Sequence, residues 1–147
     1  MKVRRAVLSD VEELAQLFND YRTFYHQPSD IEGARLFLKE RLSRDESVVF
    51  VVVDEKEMVG FTQLYPSFSS VSLQPMWILN DLFVAPQARK QGVGQMLLDG
   101  AKEHAIQSGA KSLILETDWD NVFAQKLYEK NDYERDTKVF HYTLPLQ

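Results

Sequence analysis

The chain has 147 residues, 44% hydrophobic and 27% charged: enough apolar content for one buried core, with a net charge of −5 that leaves no basic surplus for a nucleic-acid face. It has no cysteine, which excludes disulfides, thiolate nucleophiles and cysteine-based metal sites. The opening "MKVRRAVLSDVEEL" is too charged for a signal peptide, and no run approaches the ~20 apolar residues of a membrane span. The expectation is a single cytoplasmic domain, 1–147, with no membrane partner.

"VRRAV" reads as a short first strand. "SDVE" then has the form of a capping box, with Ser9 as N-cap and Glu12 three residues on. Val11, Leu14, Ala15, Phe18 and Tyr21 follow at helical spacing. A second box, "SDIE", starts at Ser29 and opens a helix lined by Ile31, Arg35, Leu38 and Leu42. "SVVFVVVD" (Ser47–Asp54) is β-branched and almost continuously apolar, so it predicts a strand buried on both faces. "EKE" turns the chain into a returning strand, Met58–Tyr65. Pro66–Pro75 reads as a loop, and Met76–Val84 as the next strand.

A glycine turn follows, then a helix from about Gly92 to Ser108 with Gly109 near its C-cap. Lys111–Asp118 predicts another buried strand, and Asn121–Lys130 a short helix with Asp120 as N-cap. The tail "YERDTKVFHYTLPL" reads as two strands around a turn near Asp136. The order β-α-α-β-β-β-α-β-α-β-β predicts a mixed sheet covered by helices.

"PQARKQGVGQML" (Pro86–Leu97) lies between an apolar strand and a helix. Its glycines allow close backbone approach, the helix start offers unpaired N–H groups, and Arg89 and Lys90 add positive charge. Together these make a seat for a phosphate. A Walker A loop would need Lys after Gly94, where this chain has Gln95; a dinucleotide fingerprint would need a third glycine, where it has Leu97.

Arg89-x-x-Gly92-x-Gly94 after a strand resembles the pyrophosphate signature of the GCN5-related N-acetyltransferases (GNAT). "LETDWDNVFAQKLYEKNDYE" is similar to that family's next strand and helix, with its Asn-x-x-Ala-x-x-x-Tyr pattern at Asn121, Ala124 and Tyr128. The resemblance covers nearly the whole chain. It implies an α/β GNAT fold: a mixed central sheet of about seven strands, about four helices, and splayed central strands forming an acetyl-CoA cleft. It implies a branch near the small-amine and amino-acid acetyltransferases.

The resemblance also implies roles. Backbone N–H groups of Gln91, Gly92, Val93 and Gly94, with Arg89 and Lys90, would hold the coenzyme pyrophosphate. Leu82, Phe83 and Val84 would run beside the pantetheine arm, with an N–H at Leu82 or Phe83 serving the thioester oxygen. Tyr128 would be the general acid, since a phenol with pKa near ~10 is protonated at neutral pH. The competing reading is a core tyrosine. Asn121 would bond the coenzyme or cap its helix, and Ala124 would line the same site.

Some relatives carry a glutamate base where this chain has Asn80, which cannot take a proton. Asp81 and Glu116 are the remaining carboxylate candidates, and a water route without a single base is an equal alternative. Strand alternation places Asp81 on the face opposite Asn80. Tyr21, Phe24, Tyr25, Tyr65, Phe68 and His141 are candidates for an acceptor pocket whose aromatic faces suit a cation.

The scattered histidines give no metal spacing. The partner expected is a small-molecule amine, such as a polyamine or an amino acid. A peptide or protein amine, a non-catalytic acyl-CoA sensor and a plain interaction domain are the other readings. The apolar tail fits a homodimer contact or an internal hairpin.

Overall fold

Two of the β-branched runs and their neighbours build one five-stranded sheet in the computed structural model, which describes residues 1–147. The chain divides into two compact units, Met1–Glu116 and Thr117–Gln147. In the first, β1 (Lys2–Arg5), β2 (Val48–Asp54), β3 (Glu57–Ser69) and β4 (Gln74–Val84) run antiparallel in sequence order. β5 (Leu113–Ile114) adds to β4 in parallel. The class is the mixed α/β sheet expected, with five strands against about seven.

Helices α1 (Val11–Phe24) and α2 (Ile31–Ser43) contribute to one core, with Leu14, Phe18 and Leu38 meeting Val49, Val51, Phe61 and Phe83. Phe61 is fully buried, its ring 5.8 Å from Phe18 and 5.5 Å from Tyr21. Helix α3 (Val93–Gln107) contributes to a second core, where Val93 and Leu97 meet Val52, Val59 and Ala88. β2 therefore feeds both cores, which is why its apolar run is nearly continuous.

Both capping boxes shift. At the first, Asp10 rather than Ser9 makes the cap: from the third position of a short 3-10 turn, Leu8–Asp10, its carboxylate accepts the Val7 N–H at 2.7 Å and is held by Arg4 Nη1 and Nη2 at 2.8 Å. At the second, Asp30 accepts the Gly33 N–H at 2.9 Å, while the Ser29 hydroxyl accepts from Asn19. Asp30 reaches forward to the third N–H of its helix, whereas Asp10 reaches back to the N–H that precedes its turn.

The Pro66–Pro75 segment is not a loop. β3 and β4 continue as a hairpin arm, paired as far as Ser69↔Gln74, and only 70–73 form the turn. Pro66 is tolerated because it lies opposite Trp77, whose N–H donates away from β3 to the Ser112 carbonyl at 3.1 Å. The missing Pro66 N–H thus lies on the outer side, past the end of β2 at Val48↔Leu64, so no ladder bond is lost.

The second unit contains α4 (Val122–Lys130). Its N-cap is Asn121, not Asp120: the Asn121 side chain accepts the Ala124 N–H at 3.2 Å. No regular element is assigned to 134–147, against the two strands expected. A strand is defined by its ladder, and within this unit the tail has no partner strand.

Candidate functional site

The central feature is an opening along β4. Its parallel ladder with β5 holds two pairs, Trp77↔Leu113 and Ile78↔Ile114, and then stops. β4 runs on to Val84. A β-bulge sets which groups face that open edge: the β3–β4 register shifts between Gln63 and Leu64, which pair with Asp81 and Leu79, so Asn80 is the extra residue.

The bulge inverts the phase of the strand. Before it, the Trp77 N–H points away from β3; after it, the Ala85 N–H donates to Val59 of β3 at 2.8 Å. By alternation, Phe83 directs its N–H into the sheet, and Leu82 and Val84 direct theirs to the open edge. Of the two residues proposed for a thioester N–H, Leu82 has the matching orientation.

Beyond Val84 the chain makes a helical turn at Pro86–Ala88 and enters the glycine loop. Lys90 has φ 62° and Gly92 φ 84°, both left-handed, and Gly92 is the N-cap of α3. Glycine suits that conformation at no steric cost, and it has no side chain to occupy the helix end. No acidic residue lies in the first turn of α3. The Val93 and Gly94 N–H groups have no intrahelical acceptor by construction, and the helix end is electropositive. These features fit a phosphate.

Arg89 donates from Nε to the Val84 carbonyl at 3.1 Å, with its guanidinium 5.5 Å from the Phe24 ring centre and 5.8 Å from that of Phe83. This contact joins the loop to the end of α1. Gln91 bonds the Gln87 carbonyl at 3.1 Å.

Gly60, which the sequence reading passed over, seats the loop. A methyl group there would lie 2.7 Å from Val93 Cγ1, 3.2 Å from the Phe83 carbonyl and 3.4 Å from Leu97 Cδ1. The first turn of α3 rests on β3 at this point. A lone glycine inside an apolar strand was the available signal.

On the α1 side of β4 lies a polar cluster. Asp81 is 7% exposed. Its Oδ1 accepts from the Tyr21 hydroxyl at 2.9 Å and from Asn80 Nδ2 at 3.1 Å, and its Oδ2 from Gln63 Nε2 at 2.9 Å. The expectation that Asn80 and Asp81 point apart fails, because the bulge breaks the alternation and brings the Asn80 amide to the Asp81 carboxylate. Gln63 is fully buried and its Oε1 has no protein donor. Burial pushes the Tyr65 phenol up to about 12, and the nearby Asp81 charge adds to the shift.

The acceptor-pocket candidates separate. Tyr21 and Tyr25 meet edge to face at 5.2 Å, and Tyr21 also lies 5.8 Å from Phe83. Tyr65 shares the Asp81 surroundings. Phe68 lies on the hairpin arm, 78% exposed. Glu116 is exposed at the end of the first unit. In the second unit, Ala124 follows the Asn121 cap, Tyr128 lies 5.8 Å from Tyr133, and His141 is exposed in the tail. Burial and the neighbouring Tyr128 raise the Tyr133 phenol to about 12. His104 packs between Trp77, at 4.9 Å, and Phe50. No three histidine or acidic side chains gather as a metal-binding group.

Residues 12–133 match the model of the acetyltransferase (GNAT) family. The chain is 53% identical over 144 residues to an uncharacterized N-acetyltransferase, YhfO, of Bacillus subtilis, covering 98% of this chain and 97% of that one. It is 35% identical over 117 residues to a probable acetyltransferase of Haemophilus influenzae, covering 79% and 80%. A crystal structure of a probable acetyltransferase superposes with a TM-score of 0.95 at 44% identity, covering 100% of this chain and 99% of the other.

Proposed function

The chain belongs to the acetyltransferase (GNAT) family and is an N-acetyltransferase, and from that premise we propose that it transfers the acetyl group of acetyl-CoA to the primary amine of a small molecule, by direct attack within a ternary complex. The observation that carries the reading is the continuous path from the open β4 edge to the glycine loop at the start of α3. Acetyl-CoA, the family's acyl donor, would supply an activated thioester there.

Arg89, Lys90 and the N–H groups from Gln91 to Gly94 bind the pyrophosphate in this reading. The outward N–H groups of Leu82 and Val84 bond the pantetheine amides and the thioester oxygen. The amine nitrogen bonds the carbonyl carbon, the carbon–sulfur bond breaks, sulfur takes a proton from the Tyr128 hydroxyl, the nitrogen gives up one proton, and the Tyr128 phenolate is reprotonated from solvent. Asp81, already accepting three hydrogen bonds, orients its neighbours rather than taking that proton. A water route or Glu116 serves as its outlet. Tyr21, Phe24, Tyr25, Tyr65, Phe68 and His141 remain the acceptor-side candidates, Asn121 and Ala124 the coenzyme-side residues of the second unit. We treat 1–147 as one cytoplasmic catalytic domain that can pair as a homodimer.

The test is thermal unfolding with and without acetyl-CoA. Ligand at a hundredfold its Kd adds about 2.7 kcal/mol, a rise of about 5–11 °C for a domain of this size. Arg89→Glu should abolish the rise. A panel of polyamines, amino acids and aminoglycosides then assigns the acceptor through released coenzyme A. Binding with no turnover on any amine would favour the sensor reading, which the loss of an acidic side chain at Asn80 keeps in view. No binding at all would refute the proposal.

A further inference from the structure

Phe24 is the last residue of α1, and its side chain is left largely in solvent, 55% exposed. The helix nevertheless ends there in a fixed geometry. The Gln27 N–H donates to the Arg22 carbonyl and the His26 N–H to the Thr23 carbonyl, both at 3.0 Å, with His26 left-handed at φ 65°. These paired bonds close the last turn and hold the backbone at Phe24. The Tyr25 ring meets the Phe24 ring edge to face at 5.3 Å, and the Phe83 ring lies 6.1 Å away. Over the Phe24 ring, 5.5 Å from its centre, stands the Arg89 guanidinium.

Arg89 is oriented by Phe24, by Phe83 and by the Val84 carbonyl that accepts from its Nε at 3.1 Å. The bond to Val84 leaves the N–H donors of Nη1 and Nη2 for a ligand. No carboxylate neutralises the guanidinium, since the ion pairs of the fold lie at other residues. Phe83 and Val84 belong to β4, and Phe24 is the contact that α1 supplies. From this geometry we propose that Phe24 is a positioning residue for the coenzyme: its ring face holds the Arg89 side chain against Val84, so that Nη1 and Nη2 are presented to the pyrophosphate. A ring face attracts a guanidinium without consuming its N–H donors, so orientation is imposed while hydrogen-bonding capacity is kept. A preoriented arginine loses less conformational freedom when the anion arrives. The inference rests on the reading above that Arg89 binds the pyrophosphate, and its test separates the two.

Coenzyme A binding is measured by isothermal titration in a double-mutant cycle. Phe24→Leu removes the ring and keeps an apolar side chain; it should weaken binding about two- to fivefold, the worth of one exposed cation–π contact. Phe24→Tyr, which keeps the ring, should bind as the wild type does. In an Arg89→Ala background Phe24→Leu should cause no further loss, because a ring that acts through Arg89 then has nothing to act on. Unchanged or tighter binding in Phe24→Leu, an equal loss in Phe24→Tyr, or the same loss with and without Arg89 overturns the inference. Full coenzyme A affinity in Arg89→Ala alone would instead overturn the pyrophosphate reading, and the inference with it.

Discussion

Adding one methyl group at Gly60 should displace the amino end of α3. The new carbon would lie 2.7 Å from Val93 Cγ1 and 3.2 Å from the Phe83 carbonyl. Val93 is 1% exposed and β-branched, so it has neither room nor rotamer freedom to yield. Overpacking of this kind costs about 1–3 kcal/mol. Replacing glycine recovers about 0.4–1 kcal/mol by restricting the unfolded chain. The net loss for Gly60→Ala is about 1–2 kcal/mol, a fall of about 2–8 °C in Tm. The same shift moves the Val93 and Gly94 N–H groups, so acetyl-CoA affinity should fall by more than the stability loss explains. Calorimetric unfolding and isothermal titration measure the two effects. Val93→Ala in the Gly60→Ala background should restore the affinity, while the cavity left in the core keeps Tm low. Unchanged Tm and unchanged affinity in the single variant would refute the claim that this contact seats the loop.

Tyr128→Phe should lower kcat by about 10²–10⁴ with acetyl-CoA affinity retained, if the phenol is the acid; a rate near wild type would make Tyr128 a packing residue. Asp81→Asn, read by thermal unfolding, should destabilise the fold by about 1.5–3 kcal/mol, since charge-assisted hydrogen bonds converge on that carboxylate. Burial pushes the Tyr65 and Tyr133 phenols up to about 12, above the ~10 of an exposed phenol. Raised values mean that stability is fully present below pH ~10 and is lost as pH rises toward the folded values. Absorbance at 295 nm should show at least two late-ionising tyrosines, with Tyr65→Phe removing one of them.

Much of this structure was legible in the sequence because periodicity and punctuation are local signals. The β2 run, the glycine turn and the α3 stripe appear close to where they were read. Helix starts moved by one residue because several side chains near each start can cap, and geometry decides among them. The hairpin arm escaped because serine and proline mark loops by composition, whereas Pro66 is acceptable in a strand whose outer side has no neighbour. The bulge at Asn80 carried no local signature. It is a mismatch between two strands, visible only once they are paired, and it overturned the alternation argument for Asn80 and Asp81. The Asp81 clamp likewise depends on Tyr21, sixty positions earlier in the chain.

The outer side of the hairpin arm has a consequence for solubility. β3 outlasts β2, leaving an exposed strand edge carrying Phe68, with Val71 and Leu73 at the turn, all strongly exposed. Such an edge is a template for intermolecular pairing and fibrillar growth. Pro66 withdraws one of the outward donors that an incoming strand would need, so the residue that disguised the arm as a loop also serves as its gatekeeper against self-association.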